Sequence, residues 1–376
     1  MKWLTLGRDL YCSSSQWRVI FKKYYGTSPQ SKMATKEKKK PLVHWKVKNF
    51  VYADEPHPTI KLRCPGLSHE SFDRDLKPKL SSIMITSAVA RAVALHRPIR
   101  VVNQSSDAAN PSGNGQTEET FLDFSRLMND YYSFMSSSEF VMSRAMYNND
   151  IAKWPLDLKF IHGYVGNTSV ANVSHYYACS EEDETHSSDL GQSPLWTNTY
   201  QVVLIDKATR KPTQLPDWFK DKFKGRGCRD KGFIVKPFTR PALTFSLSST
   251  VRWTDTDQYN HTNFTTYVLW AVDALHAGLR MKASDAPSGS EAADQAKALA
   301  ALPSISREML DQGLHKMQVT YMRECLEGES IETHVWQEEG GEKELVLFSV
   351  VKNGEDVCQM KMWYFPADGE SSVESA

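Results

Sequence analysis

Paired cysteines are missing from this chain. The six cysteines, Cys12, Cys64, Cys179, Cys228, Cys325 and Cys358, stand singly, and no C-x-x-C occurs. That excludes the usual thiolate zinc frameworks and the redox C-x-x-C, and no histidine cluster replaces them. Free thiols in a reducing compartment are expected, and no metal or redox cofactor is implied. Net charge is missing too: 45 Lys plus Arg balance 45 Asp plus Glu, so no global basic bias points to nucleic acid. No apolar run suits a transmembrane span. The best candidate, Ser82–His96, is short, contains Arg91 and reads as a buried helix. The first residues lack a secretory apolar core. They are basic, with Asp9 the one acid before Thr27. Such a start suits a mitochondrial transit peptide. Met33, opening MATKEKKK, serves equally as an alternative start, so both a cytoplasmic and a mitochondrial location stay open.

What is present is a rich aromatic supply and a clear order of elements. In LTFSLSSTVRW, Phe245, Leu247, Val251 and Trp253 share one face of a half-buried strand. A polar stretch follows, then Phe264, Val268, Ala271, Val272, Leu275 and Leu279 at helical spacing, with Gly278 marking the expected end. Lys282–Ala298, rich in Ser, Gly, Ala and Asp, reads as an exposed insertion that buries little. Strands are expected over His315–Cys325, Glu329–Gln337, Lys343–Lys352 and Val357–Phe365, with EEGGE and the Asn-Gly of NGED as hairpin turns.

The first half repeats this order. Strand-like VHWKVKNFVYA and TIKLRC precede a polar stretch and a helix over Pro78–His96. The strands LDLKFIHGYV, TSVANVSHYYAC and LWTNTYQVVLID come later. Asp73-Arg-Asp75 falls on Asp255-Thr-Asp257 at an offset of 182, which puts Lys79 opposite His261 and Ser81 opposite Asn263. Two copies of one unit are expected, with the second the chemically equipped one. The first copy carries a loop-like insertion, NQSSDAANPSGNGQTEE, then a helix or two around FLDFSRLMNDYYSFM. The resulting division is an N-terminal basic extension (1–40), a first repeat (41–216), a basic linker (217–241), a second repeat (242–366) and a tail (367–376). The linker reads as solvated chain, with a docking patch for an anionic partner such as an acidic carrier protein as the alternative.

Two motifs carry the chemistry. Asp257-Gln-Tyr-Asn-His261-Thr-Asn263-Phe-Thr-Thr-Tyr267 lies between strand and helix, and Tyr321-Met-Arg-Glu324-Cys325 ends a later strand. This pattern resembles hotdog-fold thioesterases, most closely the plant-type acyl-ACP thioesterases, which are tandem hotdogs. Their second repeat carries D-x-N-x-H-x-N-N-x-x-Y before the central helix and Y-x-x-E-C after it. Asp257, His261, Asn263 and Tyr267 match in place, whereas Tyr259 stands where the family has Asn. The resemblance covers Leu243–Phe365. It implies an α+β fold of two hotdog repeats, each a long helix wrapped by an antiparallel sheet. It also implies hydrolysis of fatty acyl-ACP or acyl-CoA thioesters to free acid and thiol, with the first repeat helping to build the acyl pocket. A homodimer is compatible with it. A non-catalytic acyl-binding protein and a hotdog dehydratase are the alternatives.

Asp257 could orient or deprotonate water, and His261 could share the proton or hold the thioester. Helix-start N–H groups near Asn263 and Phe264 could receive an oxyanion. Glu324 would be the second carboxylate. Its rival is Cys325 as a nucleophile with His261 as base. Alternation along a strand separates the two residues. Cys325 shares the parity of the core-facing Met317, Val319 and Tyr321, so Glu324 is preferred. Asp255 is expected to hold the loop or pair with Arg252. Thr262 or Asn263 would cap the helix, and Tyr267 and Trp270 would be packing groups.

Overall fold

The computed structural model describes residues 48–103, 116–179, 193–284 and 290–367. The basic N-terminal stretch with Met33, most of the first-copy insertion and nearly all of the C-terminal tail lie outside them. The first half contains β1 (Lys48–Ala53), β2 (Thr59–Cys64) and helix α1 (Leu80–His96). A separate hairpin, β3 (Pro98–Asn103) with β4 (Gln116–Thr120), comes next. Helix α2 (Phe124–Asp130), β5 (Tyr131–Met142), β6 (Leu156–Val165), β7 (Ser169–Ala178) and β8 (Trp196–Asp206) complete it. After α3 (Asp217–Phe223), the second half runs β9 (Phe245–Thr250), α4 (Phe264–Lys282), α5 (Ser290–Ala301) and α6 (Arg307–Asp311). Strands β10 (Leu314–Tyr321), β11 (Ser330–Trp336), β12 (Leu345–Lys352) and β13 (Glu355–Tyr364) follow.

Eleven strands make one antiparallel sheet in the order β1-β2-β6-β7-β8-β5-β10-β13-β12-β11-β9. Leaving β1 aside, the two halves are connected alike. The order β2-β6-β7-β8-β5 of the first matches β9-β11-β12-β13-β10 of the second. They meet at the β5–β10 ladder, where Gln318 opposes Glu139 and its amide donates to that carboxylate at 2.6 Å.

Both long helices pack on the sheet and touch each other. Their buried faces use small residues, Ser87, Ala90 and Ala94 on α1 and Ala271, Ala274 and Gly278 on α4, which allows close approach. Ser87 is satisfied inside the core: its hydroxyl donates to Ile83 O and accepts from Trp196 Nε1 at 3.0 Å. Leu275 is also buried, and trimming it to Ala costs about 2–5 kcal/mol.

Several sequence expectations need correction. Of the helical region expected around Phe121–Met135, Phe124–Asp130 is helix α2, but Tyr131–Met135 opens strand β5. Its Ser136–Ser138 run hid the alternation, and its pairing partner lies far away in sequence. Gly278 does not end α4, which continues to Lys282. A Cβ there would meet Leu302 Cδ1 at 2.8 Å, so the glycine admits the segment that follows α5. The insertion at Lys282–Ala298 is mostly exposed in its described part, as expected, but it is helical: α5 packs on α4 and buries Ala298, with Ala301 just beyond, and Lys282 Nζ donates to the carbonyls of Leu302 and Ile305. Trp253 leaves the strand face and is exposed in a single turn of 3-10 helix. Strand β10 stops at Tyr321, four residues early, because the N–H groups of Met322 and Arg323 both donate to Val357 O. The Asn353-Gly354 turn is as expected, with both residues at positive φ.

Residues 217–241 are not a solvated tether. Phe219, Phe223 and Val235 are buried. The N–H groups of Cys228, Phe233, Val235 and Phe238 donate in turn to His162 O, Gln201 Oε1, Ser137 Oγ and Gln359 Oε1. The segment is thereby strapped across β6, β8, β5 and β13. Part of its charge is paired: Lys222 with Glu119 and Asp123, Arg226 with Asp54, and Arg240 with Asp356.

Candidate active site

The stretch between β9 and α4 folds as two small turns. In the first, Asp255 accepts the Arg252 N–H at 2.8 Å, so it holds the loop through backbone rather than through the guanidinium. In the second, Asp257 N–H donates to His261 O at 2.9 Å and Asn260 N–H to Asp257 O at 3.0 Å. Asn260 sits at φ 59°, a conformation that Asn tolerates well. The Asp257 carboxylate closes the turn, with Oδ1 accepting the Tyr259 N–H at 2.8 Å. Its Oδ2 lies 3.6 Å from His261 Nδ1, beyond a hydrogen bond but within electrostatic reach.

His261 Nδ1 is 3.1 Å from Thr262 O. A carbonyl only accepts, so Nδ1 carries the proton and Nε2 the lone pair in the neutral ring. Nε2 is buried and has no partner among the described residues. The Phe134 ring from β5 meets the imidazole edge to face at 4.5 Å. Tyr259 joins this cluster with Tyr132 and Phe134. The residue that departs from the family pattern therefore packs across the seam, while its backbone does the loop work.

Asn263 is the cap of α4, accepting from Thr265 N–H at 3.0 Å and Thr265 Oγ1 at 2.9 Å. Thr262 is not the cap, because its hydroxyl donates to Cys325 O. The oxyanion expectation narrows: Asn263 N–H is used by Asp255 O at 2.8 Å. The Phe264 N–H has no partner among the described residues and remains the oriented donor.

The two motifs grip each other. Tyr321 OH donates to Phe264 O at 3.2 Å, and Tyr267 OH accepts from Cys325 N–H at 3.1 Å. Tyr267 thus has a bracing role beyond packing. Glu324 and Cys325 point apart, although the strand whose alternation predicted this has already ended. Glu324 lines the cavity beside α4, and its Oε2 accepts from Arg210 at 2.7 Å. Cys325 is wholly buried and away from the cavity lining. Burial pushes its thiol pKa up, the reverse of what an attacking thiolate needs.

The cavity is about 500 Å³ and is shared by both halves. Asp257, His261, Asn263 and Glu324 line it from the second half; Ala92, Leu95, Met135 and Val202 are among the apolar residues from the first. Arg210 and Phe134, both from the first half, were not found from sequence. No local motif marks them, and only the β5–β10 seam brings them here.

The corresponding turn of the first half has the same construction at an offset of 184, not 182. Asp73 N–H donates to Lys77 O, Leu76 N–H to Asp73 O, and Lys79 N–H to Ser71 O. The counterparts are Asp257 to His261, Asn260 to Asp257, and Asn263 to Asp255. Leu76 and Asn260 share φ 59°. Asp73 therefore answers Asp257, Lys77 answers His261 and Lys79 answers Asn263. Ser143 N–H donates to Leu195 O as Met322 N–H does to Val357 O, which places Ala145 opposite Glu324. The first turn has neither imidazole nor the second carboxylate.

No protein-family model and no curated protein matches the chain. Solved structures do. A protein named as an oleoyl thioesterase from Lactobacillus plantarum superposes with a TM-score of 0.53 at 13% identity, covering 83% of this chain and 98% of its own. The 12:0-ACP thioesterase from Umbellularia californica gives 0.51 at 13% identity, covering 82% and 97%. The chain shares the hotdog-type fold of these proteins. No described helix is long and apolar enough to cross a membrane.

Proposed function

We propose that this chain is a tandem hotdog acyl thioesterase, with residues 41–216 and 242–366 as its two repeats and the second repeat catalytic. The observation that carries this reading is His261 on the lining of a cavity that the first half walls with apolar side chains, its buried Nε2 unpartnered among the described residues. In this account a water lies between Nε2 and the free oxygen of Glu324. Nε2 takes its proton as the water oxygen bonds to the thioester carbon. Asp257, 3.6 Å from Nδ1, favours the imidazolium so formed. The carbonyl oxygen gathers charge at the Phe264 N–H. The C–S bond then breaks, and the imidazolium returns its proton to the departing thiolate, leaving a carboxylic acid and a thiol. Asn263 holds the helix start, and Cys325 takes no covalent part.

The substrates in this reading are fatty acyl-ACP and acyl-CoA. An acidic carrier would meet the exposed Lys224, Lys231 and Lys236 of the strap. The Arg210–Glu324 ion pair favours a second reading, acyl binding without turnover. Thiol release from a panel of purified acyl-CoA and acyl-ACP thioesters decides between the two. Release on at least one chain length supports hydrolysis, and none on any length rejects it.

A further inference from the structure

The cavity has a second polar pole, on the side of the first half. Arg91 lines it from the middle of α1. Its guanidinium lies 4.4 Å over the Tyr200 ring and 5.6 Å over the Phe264 ring. Among the described residues it has no hydrogen-bonding or ion-pairing partner. The cavity's own carboxylates do not answer it, since Asp257 faces His261 and Glu324 is held by Arg210. Ring faces attract the charge from above, but the five N–H donors lie in the guanidinium plane and still need acceptors.

Beside Arg91 a donor chain ends. His162 Nδ1 lies 3.3 Å from Asn172 Oδ1, and Asn172 Nδ2 donates to the Tyr200 hydroxyl at 3.2 Å. Asn172 and Tyr200 both line the cavity and both are buried. Tyr200 accepts from Asn172, and its own O–H has no acceptor among the described residues. A hydroxyl hydrogen and a guanidinium are thus left together, each wanting an acceptor. A plain alkyl chain would strip both of water and give nothing back, which is costly for buried donors. A carboxylate would satisfy both through charge-assisted bonds, two of them in parallel to the guanidinium.

We infer that the acyl chain taken by this cavity bears a carboxylate, as in the mono-thioester of a dicarboxylic acid, and that Arg91 with Tyr200 is the group that selects it. The inference rests on the hydrolase reading for what happens at the thioester end. Its binding half can be measured separately.

The test compares acyl-CoA and ω-carboxyacyl-CoA of matched length, with the full chain and with Arg91→Met and Arg91→Lys. The wild type should favour the carboxylated substrate in kcat/KM by about tenfold or more, the scale of a lost charge-assisted hydrogen bond. Arg91→Met should abolish that preference, lowering kcat/KM selectively for the carboxylated substrate, and Arg91→Lys should retain part of it. A wild type that prefers the plain chain, with Arg91→Met lowering both substrates equally, overturns the inference and leaves Arg91 a packing residue. Calorimetric binding of S-alkyl-CoA and S-(ω-carboxyalkyl)-CoA thioethers needs no turnover. A carboxylate preference there, without hydrolysis of any thioester, supports the inference and rejects the hydrolase reading. Equal binding of the two thioethers overturns the inference alone.

Discussion

Lys77 and His261 stand at the same position of two turns built alike, and their partners differ. Lys77 reaches out to Asp311 at 2.7 Å, while His261 turns an unpartnered nitrogen inward beside Phe134. The Lys77–Asp311 pair is partly exposed, so it is worth about 1 kcal/mol or less. Lys77→Ala should shift the melting temperature by a few degrees at most and leave thiol release unchanged. A large loss of activity in this variant would mean that the first turn takes part in the chemistry.

Glu324 and Cys325 adjoin in sequence but face different surroundings. Glu324→Ala should lower kcat by about a hundredfold, the lower scale of a general acid–base contribution. Cys325→Ala should keep most activity and lose stability instead. Alkylation of the native protein followed by peptide mass mapping should label the exposed Cys228 and spare Cys325. Inactivation that tracks labelling of Cys325 would restore it as the nucleophile.

Tyr259 supplies a backbone N–H to Asp257 and a ring to the seam cluster. Tyr259→Phe should therefore keep both activity and stability. Tyr259→Ala should cost about 0.5–1.5 kcal/mol for each lost aromatic pair, read as a lower urea midpoint. If Tyr259→Phe loses most activity with unchanged stability, the hydroxyl has a chemical role.

His162 is fully buried, and desolvation holds its pKa below the usual histidine value, offset only partly by Asn172. The unfolded chain takes up this proton near about pH 6.5, whereas the native state resists until lower pH. Stability present above that pH should fall as pH drops below it and level off once the native ring also protonates. His96, His175, His276, His315 and His334 are shifted the same way and share the slope. Urea midpoints from about pH 7.5 to about pH 5 should show a shallower fall in His162→Gln than in the wild type. An unchanged slope would show that His162 binds its proton alike in the folded and unfolded chain.

Much of this architecture was legible because apolar spacing and turn chemistry are local. The α4 stripe, the Asn353-Gly354 hairpin and the cap at Asn263 all follow from neighbours in sequence. Strand β5 was not legible. Its serines carry no alternation, and what makes it a strand is pairing with β8 and β10. Gly278 misled for a related reason, since a glycine that admits Leu302 looks the same in sequence as one that ends a helix. The match of the two turns was misplaced by two residues because the Asp-x-Asp pair drew the alignment. The backbone hydrogen bonds of Asp73 and Asp257 correct it. The polar residues on the second-half side of the cavity could be named from the two motifs, but Arg210, Phe134 and Arg91 belong to the other half and needed the seam.

The most direct test of the central claim is thiol release by His261→Gln and Lys77→Gln side by side with the wild type, on whichever acyl thioester the wild type hydrolyses best. The account predicts a loss of about 10²–10⁴-fold in kcat for His261→Gln, the range of a general base, and no change for Lys77→Gln. Equal activities in the three proteins, or hydrolysis by none of them, would contradict it.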